Sequence, residues 1–137
     1  MPRGTFTGDV YTDTRGRAHR IEALPTVDRA AEAYARGERV RALVEDAERI
    51  LLDVDLDCFT TLSDADPSTV LPWPRAVIRE HLLPRDSEPF WAAVLGRCVA
   101  LTLAREPHHC GGLLASQALF ADAAQVLFRE LLGVEPP

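Results

Sequence analysis

The sequence predicts an α/β domain built on a parallel sheet, and three observations predict it. Residues 49–54 carry Ile50, Leu51 and Leu52 at consecutive positions and Cys98–Ala104 is apolar but for Thr102, the pattern of strands covered on both faces. Helix-periodic segments fill the interval between them and follow the second. A glycine-containing turn between two short β-prone runs precedes both, giving an N-terminal β-hairpin.

Residues 9–24 form the hairpin, because Thr14, Arg15 and Gly16 separate the two runs and glycine supplies the positive φ of a tight turn. Pro25 and Thr26 open a helix with Val27, Ala30, Ala31 and Tyr34 on one face. Val40, Leu43, Val44 and Ala47 continue it, and Gly37 breaks it into two. After the first strand, residues 60–73 read as a loop with Asp-Pro and Leu-Pro breakers. Pro74 starts a short helix carrying Val77, Ile78 and Leu82, and Pro84 ends it. A further helix follows Ser87, with Phe90, Trp91, Val94 and Leu95 inward and Gly96 at its end. Gly111 and Gly112 lead into the longest helix. Its stripe is Leu113, Phe120, Ala124, Leu127, Phe128, Leu131 and Leu132, with Asp122, Gln125 and Arg129 opposite and Gly133 as the stop.

The 137 residues suit one domain, a hairpin region over 1–25 and an α/β part over 26–137. Twenty-one acidic residues against 15 basic ones give a net charge of -6, which argues against a nucleic-acid partner. Every basic residue is arginine, so no lysine Schiff base and no P-loop lysine can exist. Cys58, Cys98 and Cys110 are odd in number and widely spaced, which fits a reducing cytoplasm. No signal-peptide core and no membrane span is visible.

Chemistry concentrates at two places. In ILLDVDLDCF, Asp53, Asp55 and Asp57 stand at alternate positions and share one side of the strand while it lasts. Carboxylates so close repel unless a cation sits among them, and a hard divalent ion suits their oxygens. With the strand ending near Asp55, Asp53 and Asp55 are the candidate metal ligands. Asp57 is a further candidate that turns away to cap the loop. The alternative is that the aspartates only cap backbone N–H groups. In REPHHCGG, the loop beyond the second strand, Glu106 is the candidate catalytic residue and His108 a candidate ligand. His109 and Cys110 read as parts of a glycine turn ahead of the last helix, and His19 and His81 as structural. If the two strands are parallel, Asp53, Asp55 and Glu106 meet at the carboxyl edge, where open α/β sheets bind ligands.

LLDVDLDCF followed by a second apolar strand, REPHHCGG and a long closing helix resembles the C-terminal part of the peptide arginases, arginase-like proteins of ribosomal-peptide pathways related to the ureohydrolases. The resemblance implies a three-layer arginase-like fold on a parallel sheet, incomplete in this chain. It implies a binuclear Mn²⁺ centre with Asp53 as the bridging carboxylate, Asp55 on the second metal, and Glu106 near the guanidinium. The implied reaction is hydrolysis of an arginine within a peptide to ornithine and urea. The superfamily also uses an Asp-Ala-His-x-Asp-type segment upstream, and the only histidine before Asp53 here is His19. The expectation is therefore the C-terminal part of a larger hydrolase, completed by a missing N-terminal segment, by self-association or by a second chain.

Two rival readings remain. Asp53-Val54-Asp55 also resembles the nucleophile motif of haloacid-dehalogenase-like phosphatases, and Leu56-Asp57-Cys58-Phe59 echoes a metal motif of translesion polymerases. A non-catalytic scaffold or partner protein keeping a vestigial metal half-site is the other class.

Overall fold

The computed structural model describes residues 5–7, 10–20 and 24–136. Strands β1 (Thr5–Thr7), β2 (Val10–Thr12) and β3 (Ala18–Arg20) form an antiparallel sheet in sequence order. The expected hairpin is thus β2–β3, and β1 adds a strand that its short run did not announce. Residues 9 and 21–23 of that reading lie outside the described residues. One carboxylate organises the turn. Asp13 accepts the backbone N–H groups of Arg15 at 2.8 Å and Arg17 at 2.9 Å, and Arg17 Nε at 2.8 Å. The Arg17 amide, with these partners and His19, holds the Asp13 carboxyl well below the usual range. Gly16 supplies φ 77° beside it.

Helix α1 (Val27–Ala35) starts where Thr26 Oγ1 accepts the Arg29 N–H at 3.2 Å. The break at Gly37, at φ 71°, separates it from α2 (Arg39–Glu45), as its position predicts. β4 (Ile50–Asp55) follows, then a 3₁₀ turn over Leu56–Phe59. Residues 60–73, expected as loop, contain β5 (Thr60–Leu62) and β6 (Val70–Pro72) paired antiparallel. Each is only three residues long, too short for a period to show in sequence. Asp66 closes their connection by accepting Ser68 N at 3.0 Å, Ser68 Oγ at 2.7 Å and Thr69 Oγ1 at 2.8 Å. Then come α3 (Arg75–Leu82), α4 (Glu88–Leu95), β7 (Cys98–Ala104) and α5 (Leu113–Ala124), which runs on as π-helix over Gln125–Leu131. Gly133 ends it at φ 67°.

β4 and β7 pair in parallel, with Asp53 opposite Thr102 and Asp55 opposite Ala104. The mixed α/β class and the parallel pair are as predicted. The burial is not. Ile50, Leu52 and Val54 face inward. Val54 joins Leu56, Phe59, Ile78, Leu82, Leu119, Val126 and Leu127 in one core. Ile50 and Leu52 lie over a second core of Tyr34, Val40, Val44, Trp91 and Val94. Trp91 is anchored there by its indole N–H, which donates to the Leu82 carbonyl at 2.7 Å. The opposite face is open: Leu51 is 76% exposed, and Asp53, Asp55 and Thr102 are exposed. The helices pack on the inner side of this strand pair. The expectation of strands covered on both faces is corrected, since beyond Leu51 the run Leu52-Asp53-Val54-Asp55 alternates like a half-exposed strand.

The long helix is corrected too. Ala124 and Leu127 are buried as expected, and Phe120, Phe128 and Leu131 pack against the core, but Leu113 is 66% exposed, Leu132 is exposed too, and Ser116, Leu119, Ala123 and Val126 join the buried side. The π-helical stretch shifts the register of the last turns, which a strict 3.6-residue stripe misses.

Candidate metal centre at the carboxyl end of the parallel strands

Three features of the chain set the aspartates. The alternation of β4 sends Asp53 and Asp55 to its open face. The strand then stops, because Leu56 and Phe59, 0% and 1% exposed, pull the chain into the core through a 3₁₀ turn. That turn takes Asp57 out of the alternation, and it is half-buried. The cap expected of Asp57 is made by Asp55, whose Oδ1 accepts the Asp57 N–H at 3.5 Å. Thr60 Oγ1 donates to the Asp57 carbonyl at 2.7 Å and closes the turn.

Asp53 has a partner that sequence reasoning missed: the Thr102 hydroxyl, directly across the ladder, donates to its Oδ1. Thr102 is the one polar side chain with hydroxyl or charge in CVALTLA. That was the available signal, but its relevance depends on a register the sequence does not carry.

The loop over 105–112 begins just past Ala104, the ladder partner of Asp55. It folds back on itself: the Glu106 carbonyl accepts the N–H groups of His109 at 3.0 Å and Cys110 at 3.1 Å. Gly112 N–H donates to the Pro107 carbonyl at 2.7 Å. The Glu106 carboxylate is well exposed and faces His109 Nε2 at 3.5 Å. His108 is exposed and makes no polar contact among the described residues. The structure therefore brings Asp53 and Asp55 together on one face and sets Glu106 and His108 on the loop beyond the neighbouring strand. Among the described residues no group of three His, Cys, Asp or Glu side chains converges to hold a metal.

Electrostatics around this edge are negative. Desolvation by the surrounding chain, then the charges of Asp55 and Asp57, push the thiol of Cys58, which still reaches the surface, up to about 11. Burial, with Asp57, Asp55 and Glu106 adding to it, raises the fully buried Cys110 as well. Both thiols stay protonated at neutral pH and are poor nucleophiles and ligands there. Alkylation of Cys58 by iodoacetamide at pH 8, followed by peptide mass spectrometry, should run roughly 100-fold slower than on a free thiol. The rate should climb steadily toward pH 11. Because the folded state keeps this proton longer than the unfolded chain, the contribution of Cys58 to stability falls as pH rises above 9, the ordinary thiol value. A Cys58 labelling rate already flat by pH 9 would contradict the shift.

The donor set can be matched to an ion. Two carboxylates two residues apart on a strand, about 7 Å between Cα atoms, can both reach one hard divalent cation whose other positions hold water. They fit a single Mn²⁺ or Mg²⁺ and do not by themselves fit a binuclear centre, which needs bridging and terminal ligands from further side chains. No family model, no curated protein and no solved structure matches the chain.

Proposed function

We propose that this chain is part of a manganese-dependent hydrolase of guanidino groups, acting on arginine within a peptide and giving ornithine and urea. The observation that carries the reading is the pair Asp53 and Asp55, presented together at the carboxyl end of a parallel strand pair with Glu106 just past its neighbour. In this reading Asp53 and Asp55 hold the ion, and Thr102 keeps Asp53 oriented through its hydroxyl. Glu106 receives the substrate guanidinium, a task suited to an exposed carboxylate. The metal, when bound, supplies Lewis-acid activation of water. The remaining ligands come from a second chain or from further sequence, as would a layer over the open sheet face in a three-layer arginase-like fold. The chain alone is then inactive. Three free thiols accord with a cytoplasmic setting, and among the described residues no helix is long and apolar enough to cross a membrane.

A second reading is favoured by the count of converging ligands. With no third His, Cys, Asp or Glu side chain joining Asp53 and Asp55 among the described residues, the chain also suits a non-catalytic partner that keeps a metal half-site.

The test is elemental analysis after equilibration with Mn²⁺ and gel filtration. The wild-type chain should retain manganese and Asp53→Asn should lose most of it. Equal content in both would sink the metal site. Urea release from an arginine-containing peptide by a longer or complemented form, lost in Glu106→Gln, separates the hydrolase from the half-site partner.

A further inference from the structure

Among the described residues β4 and β7 pair only with each other, so each keeps one edge with no described strand beside it. Among the described residues, no turn or loop backbone bonds to residues 51–55 from the outer side. Parallel sheets are normally covered, and an open strand edge is a template for another chain. The side chains along this edge set what can pair there. On the open face, Leu51 is 76% exposed, and Asp53 and Asp55 follow it at alternate positions. Neither aspartate forms an ion pair with any described arginine, and the one partner Asp53 has is the neutral Thr102 hydroxyl. The chain as a whole carries -6. The face calls for the opposite charge.

We propose that the free edge of β4 docks an extended basic segment of another polypeptide. The segment adds as a third strand, with arginine or lysine beside Asp53 and Asp55 and an apolar side chain beside Leu51. Backbone hydrogen bonds give the docking its affinity and the alternate side chains its selectivity. The core-side positions of the added strand continue the row of Ile50, Leu52 and Val54 and take valine or leucine. The docking uses the carboxylates that the hydrolase reading gives to the ion, so it is a property of the metal-free chain, goes beyond that reading and is tested without metal.

The test is fluorescence anisotropy in EDTA with a labelled peptide of sequence Leu-Val-Arg-Val-Arg-Val, which removes any part for manganese. The peptide should bind. Its version with glutamate in place of both arginines should not, and N-methylation of the amides on one edge should abolish binding. The double variant Asp53→Asn, Asp55→Asn, checked for folding by circular dichroism, should bind roughly 10-fold more weakly. Equal binding of the arginine and glutamate peptides, indifference to N-methylation on either edge, or no binding would overturn the proposal. A dimer by light scattering that Leu51→Glu dissociates and the peptide does not would also overturn it, by showing a second copy on the edge.

Discussion

Phe59→Ala should lower the free energy of unfolding by about 3–5 kcal/mol, measured as a shift of the urea midpoint at constant slope. Phe59 is 1% exposed and closes the 3₁₀ turn that ends the aspartate strand. Its ring meets Trp73 at 6.1 Å and His81 at 6.0 Å, the latter edge-on, and it sits in the core with Leu56, Ile78 and Leu119. Its carbonyl accepts the Trp73 N–H at 2.9 Å, so the residue also ties β5–β6 to the helices. Removal leaves a cavity between elements far apart in sequence, which cannot collapse by moving one of them. Phe59→Leu should cost clearly less. The same variant should speed the alkylation of Cys58, because the neighbouring turn loses its anchor. A cost below about 1 kcal/mol would show that this turn is not held by the core.

Gly111→Ala should destabilise the chain more than Gly112→Ala. Both glycines have positive φ, 81° and 102°, so alanine at either meets backbone strain of about 1–3 kcal/mol. Only at Gly111 does a new Cβ also collide, 2.9 Å from the Val70 carbonyl oxygen, while at Gly112 nothing lies within 4 Å. The difference between the two variants isolates that contact. The Val70 oxygen belongs to β6, so relief of the clash must move either that strand or the loop carrying Glu106 and His108. Faster amide exchange in β5–β6 and around residues 105–112 of Gly111→Ala, with little change in Gly112→Ala, is the expected pattern. Equal effects would mean the loop gives way without cost.

What was legible in the sequence follows from how local each cause is. Gly37, Pro74 and Gly133 punctuate helices through their own backbone preferences, and all three lie at the predicted breaks. Residues Cys98–Ala104 form the predicted strand because a continuous β-prone run has no competing period. The aspartates were legible as a pair for the same reason, since alternation alone aligns them. Causes that depend on distant parts of the chain were not legible. Thr102 becomes a partner of Asp53 only through the parallel register. The openness of the Leu51 face depends on where five helices pack. The π-helical register of Gln125–Leu131 shifts the buried side of the last helix without any signature in composition.

The distance along the chain between β4 and β7 bears on how the molecule folds. Everything over residues 56–97 separates the two strands, including two helices and a hairpin that can form from local contacts. Parallel pairing must wait until that long loop closes, and such pairings form slowly. During the interval Ile50-Leu51-Leu52 stands as a lone aliphatic strand with both edges bare, the kind of segment that recruits neighbouring chains. Asp53 and Asp55 interrupt it at that point with two like charges. Like charges placed there suit a gatekeeper position, where repulsion opposes association of bare strands.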